Sequence, residues 1–333
     1  MSDPQVPSFQ APPPPPPLAV EAPAQRPIKM RPVAIALFVI GLLVVVGGIA
    51  NFIPGGAKTG AAVAFSGILL FALSFIPLPQ VPESEPPMSP VEKLLGIFYE
   101  PSRVFRNLRA HPHWLAAFVV ISVMSIAYSV AFTQRLGPER IVNYTVDKIA
   151  ESGFMPADRV EAAREQQLEE AKNPVQRVGA AVRSVVGLLV LFLVAGALLF
   201  LIILAFGGRM NFWQAFAVAL YASLPVVVIQ KAISLVILYI KSPDDIHPIL
   251  GQETLVQDNL GVLFAPATHP VLFVLGSSIG LLSFYRLWLT AKGLHYAGTK
   301  VSSGAGWGAS ITLFLLFLVL GMIFASLFSA FMS

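Results

Sequence analysis

Long apolar runs separated by short polar breaks dominate the chain. A membrane-crossing helix needs about 20 apolar residues, each rising about 1.5 Å, to span roughly 30 Å of hydrocarbon. Stretches near 33–53, 60–78, 114–133, 184–206, 213–240, 270–290 and 308–331 meet that requirement. The predicted fold is therefore all-α, a polytopic transmembrane helical bundle of about seven spans. Pro54-Gly55-Gly56 and the run from Phe206 to Asn211 are too short to be anything but tight connections. They predict antiparallel hairpins of the first with the second span and of the fourth with the fifth. Pro77-Leu78-Pro79 ends the second span, and the Pro- and Glu-rich segment 80–92 reads as a linker. It separates an N-terminal transmembrane hairpin, 33–79, from a five-span body over 93–331.

Two non-spanning segments also carry helical periodicity. Over 93–110, Leu94, Leu95, Phe98, Val104, Phe105 and Leu108 alternate at helical spacing with Lys93, Arg103, Arg106 and Arg109, with a break at Glu100-Pro101. This predicts an interfacial helix lying in the head-group plane, with Arg103, Arg106 and Arg109 toward anionic lipid. The insertion 137–183 predicts a helical hairpin outside the bilayer, turning at Gly153-Phe154-Met155-Pro156. Its mixed charges, from Arg159 to Glu170, fit a solvated face. Residues 1–32, with prolines from Pro12 to Pro17, predict a disordered polyproline-rich tail.

Composition sharpens the picture. Of 333 residues 56% are hydrophobic and only 12% charged, half the share a soluble surface requires, so an ordinary soluble enzyme is excluded. The net charge of +4 is small, and no basic patch interleaved with aromatics points to nucleic acid. The bases report topology instead. Arg26, Lys29, Arg31, Lys93, Arg103, Arg106, Arg109, Arg209, Arg286, Lys292 and Lys300 fall on one side, against Lys58 and Lys241 in the short loops opposite. That asymmetry predicts a cytoplasmic N-terminus and an exterior C-terminus, and Trp114, Trp213, Trp288 and Trp307 all fall at the cytoplasmic interface.

Chemistry-bearing residues are sparse. No Asp, Glu or His lies well inside an apolar stretch, which argues against the relays of proton-coupled transport. Lys231 is the exception, preceded by Gln230 and by Pro225, which removes a backbone donor and would break the fifth span. It either snorkels along its apolar stem to the outer interface or forms the anion site of a transporter or channel. Small residues four apart, Gly276 with Gly280, Ala215 with Ala219 and Gly321 with Ala325, predict close helix packing within one subunit or between copies. Gly55-Gly56-Ala57-Lys58-Thr59 lacks the glycine a phosphate loop requires before its lysine. Asp244, Asp245, His247 and Glu253 match no metal-ligand spacing and read as a solvated loop. With no cysteine, no nucleophile elbow and no paired base, the expectation is a non-enzymatic protein without catalytic residues, metal or cofactor. Its expected partners are the lipid bilayer and a membrane protein or a second copy of itself.

Three patches follow one another from Pro90 onward: Ile97-Phe98-Tyr99-Glu100-Pro101-Ser102-Arg103-Val104-Phe105, then Asn211-Phe212-Trp213-Gln214-Ala215-Phe216 running to Leu220-Tyr221-Ala222-Ser223-Leu224-Pro225, then Trp288-Leu289 through Lys292-Gly293-Leu294 toward Gly304-Ala305-Gly306-Trp307. In these patches and their order the chain resembles the Yip (Ypt-interacting protein) domain family. The resemblance implies a five-span bundle and a membrane-organising or protein-interaction role; eukaryotic members reside in Golgi and endoplasmic reticulum membranes and associate with Rab-type GTPases. Their Asp-Leu-Tyr-Gly-Pro motif is echoed by Phe98-Tyr99-Glu100-Pro101, which keeps tyrosine and proline but not aspartate and glycine. The additional N-terminal hairpin and the insertion at 137–183 resemble a prokaryotic version, which implies a bacterial inner membrane.

Overall fold

The computed structural model describes residues 29–79, 86–153 and 156–329. The tail before Lys29, residues 80–85 of the linker and Phe154-Met155 of the expected turn lie outside the described residues. Among those described there are thirteen α-helices and no strand. Six are long and apolar enough to cross a membrane: α1 (Met30–Ile49), α2 (Gly56–Leu73), α5 (Leu115–Leu136), α8 (Pro174–Ala205), α9 (Phe212–Ile240) and α13 (Ser303–Leu327). Shorter helices complete the chain: α3 (Pro90–Tyr99), α4 (Pro101–Ala110), α6 (Pro138–Glu151), α7 (Ala157–Lys172) and α10 (Leu250–Glu253), with α11 (Pro270–Ser278) and α12 (Leu281–Ala297). The sixth expected crossing, 270–290, is thus split into α11 and α12 at Ile279-Gly280. The fourth starts earlier than expected, because α8 continues into the insertion as far as Pro174.

The chain shuttles between two ends. At the basic end the exits of α2 and α4 and the α8–α9 and α12–α13 connections meet: Trp213 Nε1 donates to Ile76 O at 3.2 Å, Arg109 Nη2 to Thr299 O at 2.7 Å and Arg209 N to Lys300 O at 2.9 Å. At the far end, α6, α7 and the 241–269 connection are joined to the body and to the α1–α2 turn. Arg140 pairs with Asp244 at 3.2 Å, and Lys58 pairs with Glu170 at 3.1 Å.

The α1–α2 hairpin owes its closeness to four glycines at seven-residue spacing, Gly41 with Gly48 and Gly60 with Gly67. A Cβ on Gly60 would lie 2.5 Å from Gly41 O, and one on Gly67 would lie 2.6 Å from Phe38 N. Only hydrogen fits between these backbones.

α9 is the central post. Trp213, Ala215, Phe216, Ala217, Val218, Leu220, Tyr221 and Ala222 are all buried, and α5, α8 and α12 surround it. The expected break at Pro225 does not occur, since α9 runs continuously from Phe212 to Ile240 with Pro225 inside it. One missing N–H is absorbed by a helix clamped on several sides. Ala215 and Ala219 are buried, and Gly196 of α8 admits Phe216 so closely that a Cβ there would lie 2.8 Å from Phe216 Cα.

The 93–110 segment differs from its expected placement. Val104, Phe105 and Leu108 of α4 are fully buried, Phe105 against Gly293 of α12. The apolar face of α4 therefore packs on protein rather than in lipid, because a short helix with three bulky apolar residues fills the groove between α9 and α12. In α3 the exposed apolar residues are Val91, Leu95, Phe98 and Tyr99. Lys93 is 1% exposed and donates from Nζ to His111 O at 3.0 Å. Burial pushes its pKa down to about 8.

The cap of α9 ties these parts together. Asn211 accepts from Trp213 N at 2.9 Å while Gln214 Oε1 accepts from Asn211 N at 2.8 Å, a reciprocal capping box. The remaining donors reach outward: Asn211 Nδ2 to Pro77 O at 2.9 Å, Trp213 Nε1 to Ile76 O, and Gln214 Nε2 to Arg109 O at 2.6 Å. Gln214 is fully buried, so Gln214→Leu strands the Asn211 N–H and the Arg109 carbonyl together. At about 1–3 kcal/mol for each orphaned group, the variant is expected to unfold at a clearly lower temperature than Gln214→Glu, which keeps one acceptor, in detergent-solubilised thermal melts.

Candidate functional site

At the basic end, a recess of about 480 Å³ opens between α4, the end of α12 and the α12–α13 connection. Its side chains include Arg106, Arg109, His295, Tyr296 and Lys300, and its lining contains no Asp or Glu. Packing of Phe105 and Leu108 beneath α4 turns Arg106 and Arg109 outward, one turn apart on the same side. Arg109 is steadied by the Thr299 carbonyl, and its Nε is buried without a partner. Arg106 lies with its guanidinium carbon 5.8 Å from the Tyr296 ring centroid. His295 Nδ1 lies 2.8 Å from Val301 O. A carbonyl only accepts, so Nδ1 carries the proton in the neutral ring and Nε2 is the remaining acceptor. Ser302 caps α13 by accepting from Ala305 N, placing a helix N-terminus at the rim. Three cations around a cleft lined by no carboxylate make a cradle for an anion of phosphate size.

Of the three arginines expected at the lipid interface, the structure brings Arg106 and Arg109 together and leaves Arg103 aside, paired with Glu100 at 3.3 Å. Lys300 was legible only as a base near a span end, and His295 carried no signal of its own. Nothing in their spacing joins them to residue 106, some 190 positions away.

The second expected site lies toward the far end. Lys231 Nζ donates to Glu253 O and sits 4.6 Å from the Tyr128 ring centroid. Its stem thus reaches to the far-end connection, as a snorkelling lysine would, but ends on a protein carbonyl. Gln230 points about 100° away around the helix, and Pro225 lies nearly two turns below, so the three do not converge. Ser234 reinforces the same connection, with Oγ 3.1 Å from Thr254 Oγ1 and accepting from Leu255 N at 3.0 Å.

The real discontinuity is in the sixth crossing. Leu260 N donates to Ile279 O at 3.1 Å, and the side chain of Asp258 accepts from Leu282 N at 2.8 Å, capping α12. Gly276 and Gly280, expected as a helix–helix seam, instead face this connecting segment. Cβ atoms there would lie 2.9 Å from Gly261 N and 2.8 Å from Asn259 Cβ. A broken helix needs outside partners for its backbone, and only glycine lets that backbone approach. Gly321 lies beside Val274 of α11, and Ala325 one turn on is buried. Arg286, expected at the basic end, lies within α12, about 16 Å short of its last residue, because that helix extends to Ala297.

The acidic loop is anchored rather than loose. His247 Nδ1 accepts from Ile249 N and Leu250 N, both at 3.1 Å, so the proton of the neutral ring is on Nε2, 3.1 Å from Tyr144 OH. Among the described residues no group of three His, Cys, Asp or Glu is placed to hold a metal.

A family model for the Yip1 domain matches residues 95–325, and the chain belongs to that family of multi-pass membrane proteins. No curated protein and no solved structure matches it.

Burial, and secondarily Lys148, holds the His247 pKa below its ordinary 6.5. A histidine depressed on folding binds fewer protons folded than unfolded, so its stabilising contribution is complete above 6.5 and is lost as pH falls below that value. Protonating Nδ1 would also aim a third N–H at two backbone donors. Amide exchange at Ile249 and Leu250 is expected to accelerate on acidification below 6.5 relative to the α9 amides; His247→Asn, which supplies a pH-independent acceptor, is expected to abolish the dependence.

Proposed function

We propose that the protein is a non-enzymatic membrane-organising component of a bacterial inner membrane, with its basic end in the cytoplasm, and that the recess binds phosphate-bearing lipid head groups. The observation that carries this reading is the convergence of Arg106, Arg109, His295 and Lys300 around one acid-free cleft. The orientation follows from the retention of Lys and Arg on the cytoplasmic side. The α6–α7 hairpin at the far end, with Arg164 bridging Asp147 at 2.7 Å and Glu161 at 3.3 Å, offers a polar, solvated surface for a membrane-protein partner or a second copy.

Glycerol phosphate, a soluble head-group analogue, tests the recess on the full chain in neutral-lipid nanodiscs. Arg106→Ala with Lys300→Ala is expected to weaken its binding at least several-fold and to flatten the salt dependence, while Arg103→Ala leaves both unchanged. Equal binding by all three proteins overturns the assignment.

A second reading, a small-molecule or ion transporter, is favoured by the broken sixth crossing and by the approach of Asp258 to it. It requires water to reach Lys231 from the basic end. In a chain without cysteine, the Lys231→Cys variant would then react with a membrane-impermeant thiol reagent supplied on that side. Protection from that side, with labelling from the far side alone, is the outcome expected of a snorkelled structural lysine and removes the transport reading.

A further inference from the structure

A cleft of about 950 Å³ separates the α1–α2 hairpin from the body, walled by α1, α2, α5 and α8. Leu37, Phe118, Val182 and Leu189 represent its walls, and its only hydroxyl, Ser66, is spent on Val63 O at 2.7 Å. Water in such a space would find no hydrogen-bond partners along its middle. Polar side chains stand at its ends: Lys29 beside Trp114 at the basic end and Arg177 in the first turn of α8 at the far end. Among the described residues neither cation has a carboxylate partner.

The cleft stays open because the hairpin is fastened mainly at its ends. At the far end Arg183 Nη1 donates to Thr59 Oγ1 at 2.8 Å and Lys58 pairs with Glu170; at the basic end Ile76 O and Pro77 O accept from Trp213 and Asn211. Between these fastenings the glycine seam turns the close-packing face of α1 toward α2. A void of this size inside a bilayer has one abundant filler, and its dimensions match a ligand site of the larger kind. Along α8 the walls run from Pro174 to Leu189, about 22 Å by helix rise, enough to cover an acyl chain of one leaflet, roughly half of 30 Å.

We propose that this cleft is a binding site for an anionic phospholipid, with its acyl chains between the hairpin and the body and its phosphate on Arg177. Arg177 supplies two N–H donors in a fork that matches phosphate oxygens, and the positive end of the α8 dipole adds to it. The lipid then acts as a third wall, filling the apolar space that α1 and α5 line together.

The test is native mass spectrometry of the full chain released from mild detergent after exposure to equal amounts of phosphatidylglycerol and phosphatidylcholine. Phosphatidylglycerol is expected to be retained in several-fold excess, and the excess is expected to be lost in Arg177→Glu, an exposed position that does not threaten the fold. Val182→Trp, which fills the cleft, is expected to reduce retention of both lipids. Equal retention of the two lipids by the parent protein, or unchanged retention in both variants, overturns the proposal. So does loss of the excess in Arg106→Ala with Lys300→Ala alone, which would place the retained lipid in the basic recess.

Discussion

The structure depends on how the first turn of α9 spends its hydrogen bonds. A helix start leaves four N–H groups with no internal partner, and at α9 the burial of Phe212, Trp213 and Gln214 makes protein rather than water their main source of acceptors. Asn211 and Gln214 cap the turn reciprocally and keep donors to spare, and those donors hold the carbonyls of Pro77 and Arg109 while Trp213 Nε1 holds that of Ile76. Lys93 and Tyr221 extend the pattern to the carbonyls of His111 and His113. Both histidine carbonyls of the turn between α4 and α5 are thereby paired, which lets α4 sit on the bundle with Arg106 and Arg109 beside Lys300. The basic recess is thus a consequence of backbone satisfaction several residues away.

The same constraint explains the sixth crossing. Ending a helix at Ser278 and starting another at Leu281 frees backbone groups at membrane depth, and these groups must be paired by protein. The 254–261 segment does so with its own backbone and with the Asp258 carboxylate, which caps α12 where a positive helix end favours negative charge. Lys231 and Ser234 in turn hold that segment against α9. Intramembrane polarity here serves as scaffold for an irregular backbone. That is why the polar residues of α9 meet a loop rather than one another.

Much of this was legible in the sequence. Apolar length gave the crossings, and the short glycine- and proline-marked connections gave both hairpins, since each depends on local composition alone. Helical periodicity found α3 and α4 but could not tell whether Phe105 and Leu108 meet lipid or protein, because both solvents reward the same apolar face. Lys93 read as a head-group cation; its burial depends on His111 O, a backbone acceptor that no residue pattern advertises. Gly276 and Gly280 have the spacing of a helix seam, yet their neighbours lie in a loop whose path depends on Asp258. The seven-residue recurrence of Gly41 with Gly48 and Gly60 with Gly67 was present in the sequence as a packing signal. It is weaker than the four-residue kind only in familiarity. The basic recess was illegible as a unit, for its members come from positions near 106 and near 300 and are joined only when α4 docks on α12.

The reach of the family match bears on how the hairpin came to be held. Residues 95–325 match the Yip1 domain, and α1 and α2 lie outside that range. Yet two of the donors in the α9 cap, Asn211 Nδ2 and Trp213 Nε1, belong to the matched body and point to the end of α2. Neither is needed to cap α9, since the side-chain oxygen of Asn211 performs that task. In a body without the hairpin, both donors would face the interfacial water, where they cost nothing. The hairpin docks by offering the carbonyls of Ile76 and Pro77, which the stop imposed by Pro77 leaves without helical partners. Each side therefore brings groups that are unsatisfied for its own reasons, and joining them requires no change in the body's core. The economy of that junction also accounts for its location at the ends, and so for the apolar cleft left between them.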